Sequence, residues 1–521
     1  MKKLFSVLAT VLFVVACGTK KTATTKSTTK VANDPSIYAK TITSEDLKTA
    51  LYTYASDEFQ GRETGEPGQK LAVNYLKDQY IKHGVQAAKS DGNYFQEVPL
   101  EVSSTPEVTI TVNEKPFSYK DDFISLTSSK TDKFSLDQIV YAGYGIDDEK
   151  YSNYKDIDVK DKFVLIKSGE PKNADGTYIV TGTSEGSKWS NMRQQFAAKS
   201  AAAQEKGAKA ILFYFPEVYQ IAVAQFSGSS GRMSLEGNEE EPYFFLINTD
   251  LAKAFVGDIE SNEKPTTLKT NIKVDYKNVS KKITSENVAA YIKGSEKPDE
   301  FIVISAHLDH EGVKDGKVYN GADDDGSGTV AIVEIAEAFS KAVKDGNGPK
   351  RSIVFLNVTG EEKGLLGSRY YTDIDPIFPL ENTVADLNID MIGRTDPKRK
   401  EGKRNYIYLI GSDKLSTELH TISEEVNQKY TNVELDYTYN DENDPNRFYY
   451  RSDHYNFAKN NIPVIFYFNG THDDYHQPSD TPDKIEYDLL ENRTRLIFYT
   501  AWELANRENR ILVDKAVEKT N

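Results

Sequence analysis

One cysteine, Cys17, stands in a chain of 521 residues. Without a second thiol no intrachain disulfide can form, so folding rests on core packing. Basic charge is not in excess: 64 Lys and Arg against 80 Asp and Glu leave a net charge of −16. That balance excludes nucleic acid as an expected partner, because a phosphate backbone needs a basic face. No apolar run reaches the roughly 20 residues that a membrane-spanning helix needs. Histidine is scarce, at seven positions. Hydrophobic residues, at 38%, and aromatic residues, at 11%, are abundant enough for sizeable cores, which argues against global disorder. The length suggests two or more domains.

The chain opens with Met1, Lys2 and Lys3, an apolar run over 4–16, then Cys17 and Gly18. A basic start before a short apolar core reads as a signal peptide. Val14, Val15, Ala16 and Cys17 resemble a bacterial lipobox, in which the signal is cut before the cysteine and the cysteine is lipidated. The expected location is extracytoplasmic, with a lipid anchor at Cys17 holding the protein to the periplasmic or surface side of a bacterial membrane. Residues 18–35, rich in Thr, Lys and Ser, read as a flexible tether.

Further on, Thr43 precedes a capped amphipathic helix carrying Leu47, Leu51 and Tyr54. A helical spacing over 71–81 ends at Gly84. Strands are expected at 94–100, 108–112, 272–276, 287–292, 384–391, 406–410, 433–439 and 463–468, and helices at 415–429 and 487–507. Strands alternating with helices imply a sheet covered on both faces. Between about 127 and 268 the texture changes to short strands, a turn-rich acidic loop and an Ala-rich helix at 196–207, with no cluster of ligand-type residues.

The stretch 301–362 carries the chemistry. His307 and Asp309 follow an apolar run at 301–305. Asp323, Asp324 and Asp325, flanked by glycines, precede a helical pattern. Glu361 and Glu362 follow the apolar run 353–358. Imidazole and carboxylate are the usual zinc ligands, and an open α/β sheet places its ligand site at strand ends. Residues i and i+2 of a strand share a face, so Asp309 can accept the free ring N–H of His307 while the other nitrogen binds metal. Three adjacent carboxylates repel, and a cation relieves the repulsion. Asp325 or Ser327 can also cap the helix that starts near Thr329. Asp390, in the largely apolar run 387–391, calls for a partner, and His476 offers an imidazole in a turn. His307, Asp324, Glu362, Asp390 and His476 then make a series with one shared carboxylate, plus a histidine and a carboxylate for each of two metals, as in two-metal aminopeptidase sites.

The order HLD, GADDDGSG, TGEEKGLLGS, NIDMIG, HQPSDT resembles the two-zinc exopeptidases of clan MH, which include secreted bacterial leucyl aminopeptidases and glutamate carboxypeptidases. GRETGEPG and SDHYNFAKNNIPV resemble that family's flanking segments. VKDKFVLIKSG and KSAAAQEKGAKAILFY resemble the protease-associated (PA) domain, a non-catalytic β-rich module. The resemblance implies an α/β fold, a three-layer αβα domain with a mixed, mostly parallel sheet, interrupted by a β-rich insert. The implied layout is a signal at 1–16, a tether at 17–36, the first part of the peptidase domain at 37–115, the PA-like insert at 116–268 and the metal-bearing part at 269–515. It also implies two Zn2+ per chain on those five residues, with Asp324 bridging and Asp323 a neighbour. Glu361 would be the general base and acid, and Asp309 the partner of His307. Tyr475 and Tyr450 are both candidates for stabilising the oxyanion. Peptides are the implied substrates. The loop 440–451 holds Asp441, Glu442 and Asp444, suited to a free amine, and Arg447 and Arg451, suited to a C-terminus. The family favours an aminopeptidase, with a carboxypeptidase or dipeptidase as the alternative. A third possibility, a peptide-binding lipoprotein with a dead site, is opposed by the intact Glu361.

Overall fold

A computed structural model describes residues 33–126, 130–192, 194–226, 231–237 and 242–515. The expected signal peptide, Cys17 and nearly all of the tether lie outside the described residues. Among the described residues no helix is long and apolar enough to cross a membrane.

The larger sheet has ten strands. Its centre is Lys297–His307, flanked in parallel by Arg351–Val358 and Thr383–Ile389, with Val464–Phe468 parallel beyond the latter. Antiparallel strands extend it through Ser280–Ile292 and Phe95–Ser103 on one side and through Tyr406–Ile410 on the other. The central strands are buried at nearly every position, from Phe301 onward in the first, because both faces are covered. Ile302, Ile304 and Ala306 face one layer with Leu51, Leu76, Val330, Ile335, Leu490 and Ile497, from the helices Ser44–Tyr54, Pro67–His83, Gly328–Lys344 and Tyr487–Asn506. Phe301 and Val303, one residue out of phase, face the opposite layer with Tyr371, Phe457 and Ile462, as the period of two requires. Thr43 Oγ1 accepts from Asp46 N at 3.2 Å to start the first of these helices. Gly84, at φ +75°, ends the second. The expected strand at 433–439 is shorter, Glu434–Asp436, because Thr438–Asn440 turns into a single 3-10 turn.

The second sheet has eight strands. It starts at Glu107 and ends at Lys277, wider than the expected 116–268. The reason is a ladder: Glu107–Val112 and Thr266–Lys277 pair antiparallel over six positions, so a boundary at 116 or 268 would cut hydrogen-bonded strands apart. Asp132–Tyr141, Phe163–Lys167, Ala210–Tyr214 and Tyr243–Ile247 run parallel through its middle. One strand of this region, Arg232–Leu235, pairs with Phe95–Ser103 of the larger sheet and ties the two together.

Candidate metal centre

Three adjacent parallel strands of the larger sheet deliver acids and histidine at their C-terminal ends, where such sheets open a crevice. His307 is the last residue of Lys297–His307 and stands opposite Val358 in register. Asp390 directly follows Thr383–Ile389. Glu361 and Glu362 come three and four residues after Arg351–Val358. Asp324 sits in the irregular turn before the helix Gly328–Lys344, and His476 in a downstream turn at φ +55°.

These side chains converge. His307 Nε2 is 3.1 Å from Asp324 Oδ1 and 3.6 Å from Asp390 Oδ1. His476 Nε2 is 3.1 Å from the other oxygen of Asp324 and 3.2 Å from Glu362 Oε2. Asp324 therefore lies between a His307 and Asp390 group and a His476 and Glu362 group, one oxygen toward each. The structure adds His310, which the sequence reading passed over. It is fully buried, with Nδ1 2.8 Å from Glu362 Oε1 and 3.8 Å from Asp324 Oδ2. Its signal was present in HLDH, where a second histidine falls three residues after the first, but the strand pattern drew attention only to His307 and Asp309.

The donor set fits metal ions. His307 Nε2, both ring nitrogens of His310, Asp324 Oδ2 and Glu362 Oε1 are buried and hold no hydrogen bond of good geometry. Buried polar atoms are rarely left so. The groups His307, Asp325 and Asp390, and His310, Asp324 and Glu362, each offer three ligand atoms within 4.8 Å of one another. The cluster's charge also calls for cations. Burial opposes a proton on His307, yet Glu361, Asp324 and Asp390 hold its pKa well above the usual histidine range. Burial opposes charge on His476 too, but Asp324 and Glu362 raise it to about 10.

The adjacent glutamates part company. Burial pushes the Glu361 carboxyl well up, with His307 opposing and Glu362, Asp390 and Asp453 adding to the rise. Burial and Asp324 also press Glu362 upward, but His310 and His476 outweigh them and hold it at about 2. The two adjacent carboxyls are thus driven apart, Glu361 toward its protonated form and Glu362 toward its anion.

Asp309 departs from the expected arrangement. His307 Nδ1 points at the backbone oxygen of Asp309, 3.0 Å away, and the Asp309 carboxylate is 3.9 Å off. The strand ends at His307, so the i, i+2 alternation no longer governs Asp309. Its carboxylate instead accepts from Thr64 Oγ1 at 2.7 Å and from Glu361 N at 3.2 Å. It orients the backbone of Glu361 rather than the histidine ring. The GRETGEPG segment finds its purpose here. Arg62, buried, donates to the carbonyls of Leu308, Asn320 and Gly321 at 3.1, 2.6 and 2.9 Å, clamping the two loops that carry His310 and Asp324.

The three aspartates are distinct. Asp325 Oδ1 accepts from Gly328 N at 2.9 Å, so it caps the helix, and from Met391 N at 3.0 Å. Ser327 Oγ bonds Asp323 O and Ile392 N instead. Asp323 accepts from Gly393 N at 2.7 Å and Asn469 Nδ2 at 3.0 Å, and lies 3.1 Å from His472 Nε2. Asp480, four residues past His476, accepts from the N–H groups of Asp323 and Asp324 at 2.9 and 3.2 Å. His472, Asn469 and Asp480 thus fasten the turn carrying His476 to the turn carrying Asp324, a tertiary clasp with no local signature.

The two tyrosines separate. Tyr475 lines the cleft together with Asp324, Glu361 and Asp390, and its ring stacks on His476 at 3.9 Å. Burial and the surrounding carboxylates push its phenol pKa far up, so it stays protonated. Tyr450 does not line that cleft. It is 44% exposed, under Arg447, on an adjoining cavity of about 780 Å³. The 3-10 turn Phe448–Tyr450 turns Phe448 toward the cleft and Tyr450 away.

With this geometry in hand, residues 287–501 match the profile of Peptidase family M28. The match covers the metal-bearing part of the chain, which is similar to the peptidases of that family. Among M28-like relatives, a probable leucine aminopeptidase 2 of Aspergillus oryzae is 24% identical over 349 residues, covering 67% of this chain and 58% of that protein. A probable glutamate carboxypeptidase of Arabidopsis thaliana is 35% identical over 105 residues, 20% of this chain and 14% of that protein. An aminopeptidase of Mus musculus, NAALADL1, is 33% identical over 123 residues, 23% of this chain and 16% of that protein. The chain thus spans 14–58% of the length of these curated relatives. A solved aminopeptidase from Aneurinibacillus sp. strain AM-1 shares the fold at a TM-score of 0.50 and 19% identity, over 93% of this chain and 98% of that one.

Proposed function

We propose that this chain is a two-zinc exopeptidase that removes N-terminal residues from peptides. The observation that carries the reading is Asp324, with one oxygen on the His307 and Asp390 side and the other on the His476 and Glu362 side. His307, Asp324, Asp390, Glu362 and His476 would hold the ions, with His310 beside the second group. Zinc, when bound, acidifies water and polarises a carbonyl. Glu361, whose carboxyl takes protons readily, accepts the proton of the attacking water and returns it to the leaving amine. Asp309, held by Thr64, fixes the backbone of Glu361 for that transfer. Tyr475, kept protonated beside the acids, donates toward the oxyanion that develops on the scissile carbonyl. Met391, Phe448, Phe466 and Phe468 line the same cleft and suit an apolar side chain.

The names of the relatives support both aminopeptidase and carboxypeptidase activity, and the aminopeptidase reading is preferred because the longest of the three alignments reported above is to a leucine aminopeptidase. The region 107–277 is read as a PA-like cover that restricts the site to short peptides, and Cys17 as a lipid anchor on the periplasmic or surface side of a bacterial membrane. The PA-like and lipid-anchor readings rest on sequence resemblance, and the covering role on the insertion of that region between the N-terminal segment and the metal-bearing strands. The test of function is a substrate panel. The expected outcome is leucine release from a leucyl-anilide, no cleavage of N-blocked peptides with free C-termini, loss of activity on chelation and recovery with zinc. Cleavage of the blocked peptides alone would establish the carboxypeptidase alternative instead.

A further inference from the structure

The loop 440–451 carries acids and arginines together, and the structure sorts them. Asp441, Glu442 and Asp444 line the adjoining cavity of about 780 Å³. Asp444 is further committed to its own loop, accepting from Asn446 N at 3.0 Å and Phe448 N at 3.1 Å. The charged residue of this loop that lines the metal cleft is Arg451. Its guanidinium lies 5.0 Å from the Phe448 ring centroid, and its backbone N–H bonds Phe448 O at 3.0 Å. It is exposed, and among the described residues it forms no ion pair. Lys398 stands at the same rim, donating to Thr471 Oγ1 at 3.0 Å, and Thr471 lines the cleft. Lys398 also lacks a carboxylate partner among the described residues.

Three other cations nearby are paired, while Arg447 of the same loop lies over the Tyr450 ring on the adjoining cavity, away from the cleft. Arg394 and Lys484 share Asp474 at 3.1 and 2.6 Å, and Lys363 meets Glu63 at 3.3 Å. In a chain with net charge −16, two cations left without acids at the mouth of a cleft full of carboxylates need a reason. An arginine stacked on an aromatic ring is held flat and weakly hydrated, ready for a bidentate carboxylate. The cleft's own acids repel an anionic substrate, so a substrate carboxylate can settle there only against such a cation.

We infer that Arg451, flanked by Lys398, binds a carboxylate carried by the substrate close to the scissile bond. The shared chemistry has two sources: the α-carboxylate of a dipeptide or the side chain of an acidic residue. This inference rests on the exopeptidase reading above and narrows its substrate class.

The test uses the zinc-loaded protein and two matched pairs, Ala-Leu against Ala-Leu-amide and Glu-anilide against Gln-anilide. A charge-assisted contact predicts a kcat/KM roughly 10- to 100-fold higher for the carboxylate member of one pair. The pair that responds identifies the source. In Arg451→Met that ratio falls toward unity, chiefly through KM, while Arg451→Lys restores part of it. Zinc content and melting temperature of the variants report whether the site is intact, and the wild-type ratios decide the matter even if a variant misfolds. Ratios near unity in both wild-type pairs, with hydrolysis present, overturn the inference and leave the exopeptidase reading standing. Absence of zinc-dependent hydrolysis from all four substrates and from the leucyl-anilide overturns both.

Discussion

The strands Arg351–Val358 of the larger sheet and Ala210–Tyr214 of the second sheet are each buried at every residue, yet the two regions handle buried polar atoms in opposite ways. In the second, buried charges are met. Lys199, with no exposure, donates to the carbonyls of Lys167 at 2.9 Å and Gly169 at 2.7 Å. Lys167 in turn donates to Asn262 O at 2.7 Å, and Glu170 accepts from Ser187 N at 2.8 Å. Among the described residues of 107–277, Tyr154 Oη alone is a buried side-chain polar atom without a hydrogen bond. At the C-terminal end of the larger sheet, His307, His310, Asp324, Asp325, Glu362 and Asp453 all hold such atoms. An unmet buried polar atom costs on the order of 1–3 kcal/mol. The concentration of such atoms at that end of the larger sheet places part of the cost where a ligand can offset it.

The largest effect that would break this contrast is at Glu361. If the open acids belong to catalysis, Glu361→Gln should lower kcat by roughly 10²- to 10⁴-fold, the range for a general base, while metal analysis still finds two zinc ions per chain. Retained turnover would remove Glu361 from the proton-transfer role and the contrast would lose its functional meaning.

Glu334, on the helix Gly328–Lys344, is an instructive case among the unbonded buried atoms away from the candidate site. Its Oε2 is buried and unbonded, although Glu334 belongs to none of the groups of candidate ligands. Here the fold adjusts protonation. Burial, then Glu337 and Asp46, raise its pKa to about 8 against the opposing pull of Lys82. A carboxyl raised in the fold contributes stability that is full below its unfolded value near 4.5 and is lost as pH rises through about 8. Between pH 5 and 9 the wild type should therefore lose on the order of a few kcal/mol relative to Glu334→Gln. Urea unfolding of both proteins across that range checks it, and parallel pH profiles would mean that Glu334 is not protonated in the fold.

The clustering of the candidate ligands was legible where they lay in strand-end motifs. His307, Asp324, Glu361, Glu362 and Asp390 each follow or precede an apolar run, and the structure brings them together with His476. Local patterning failed where the backbone changes course. The alternation that assigned Asp309 to the His307 ring stops with the strand at His307, and a single 3-10 turn sends Tyr450 to the neighbouring cavity. His310 stands just past the same strand end, beyond the reach of the pattern. The second sheet was expected at 116–268 because the ladder between Glu107–Val112 and Thr266–Lys277 joins strands more than 150 residues apart, a pairing that no local signal announces. Arg62, Thr64 and Asp480 are ordinary polar residues in sequence and acquire their roles only through contacts across the fold.

Asp480 gives a smaller test of the same point. It fastens the His476 turn to the Asp324 turn through two backbone N–H groups. Partners that orient ligands typically contribute 10- to 100-fold in metal affinity. Asp480→Asn keeps one acceptor and removes the charge, so zinc affinity measured by competition with a chelator should fall toward that range, with saturating zinc restoring most of kcat. Unchanged affinity would make the clasp a folding feature only.

The smallest catalytic effect belongs to the second sheet. Lys199→Met leaves the carbonyls of Lys167 and Gly169 without their donor, about 1 kcal/mol each, and relieves part of that by no longer burying an ammonium, whose pKa burial already lowers to about 7. The net loss of stability should be no more than about 2 kcal/mol, visible as a lower melting temperature. Turnover per zinc-loaded molecule should stay within about twofold of wild type, because every contact that Lys199 makes lies inside 107–277 and none reaches a candidate ligand. A large fall in kcat at unchanged zinc content would show instead that the well-bonded region is coupled to the open one, and that the two cannot be treated as separate solutions to burying charge.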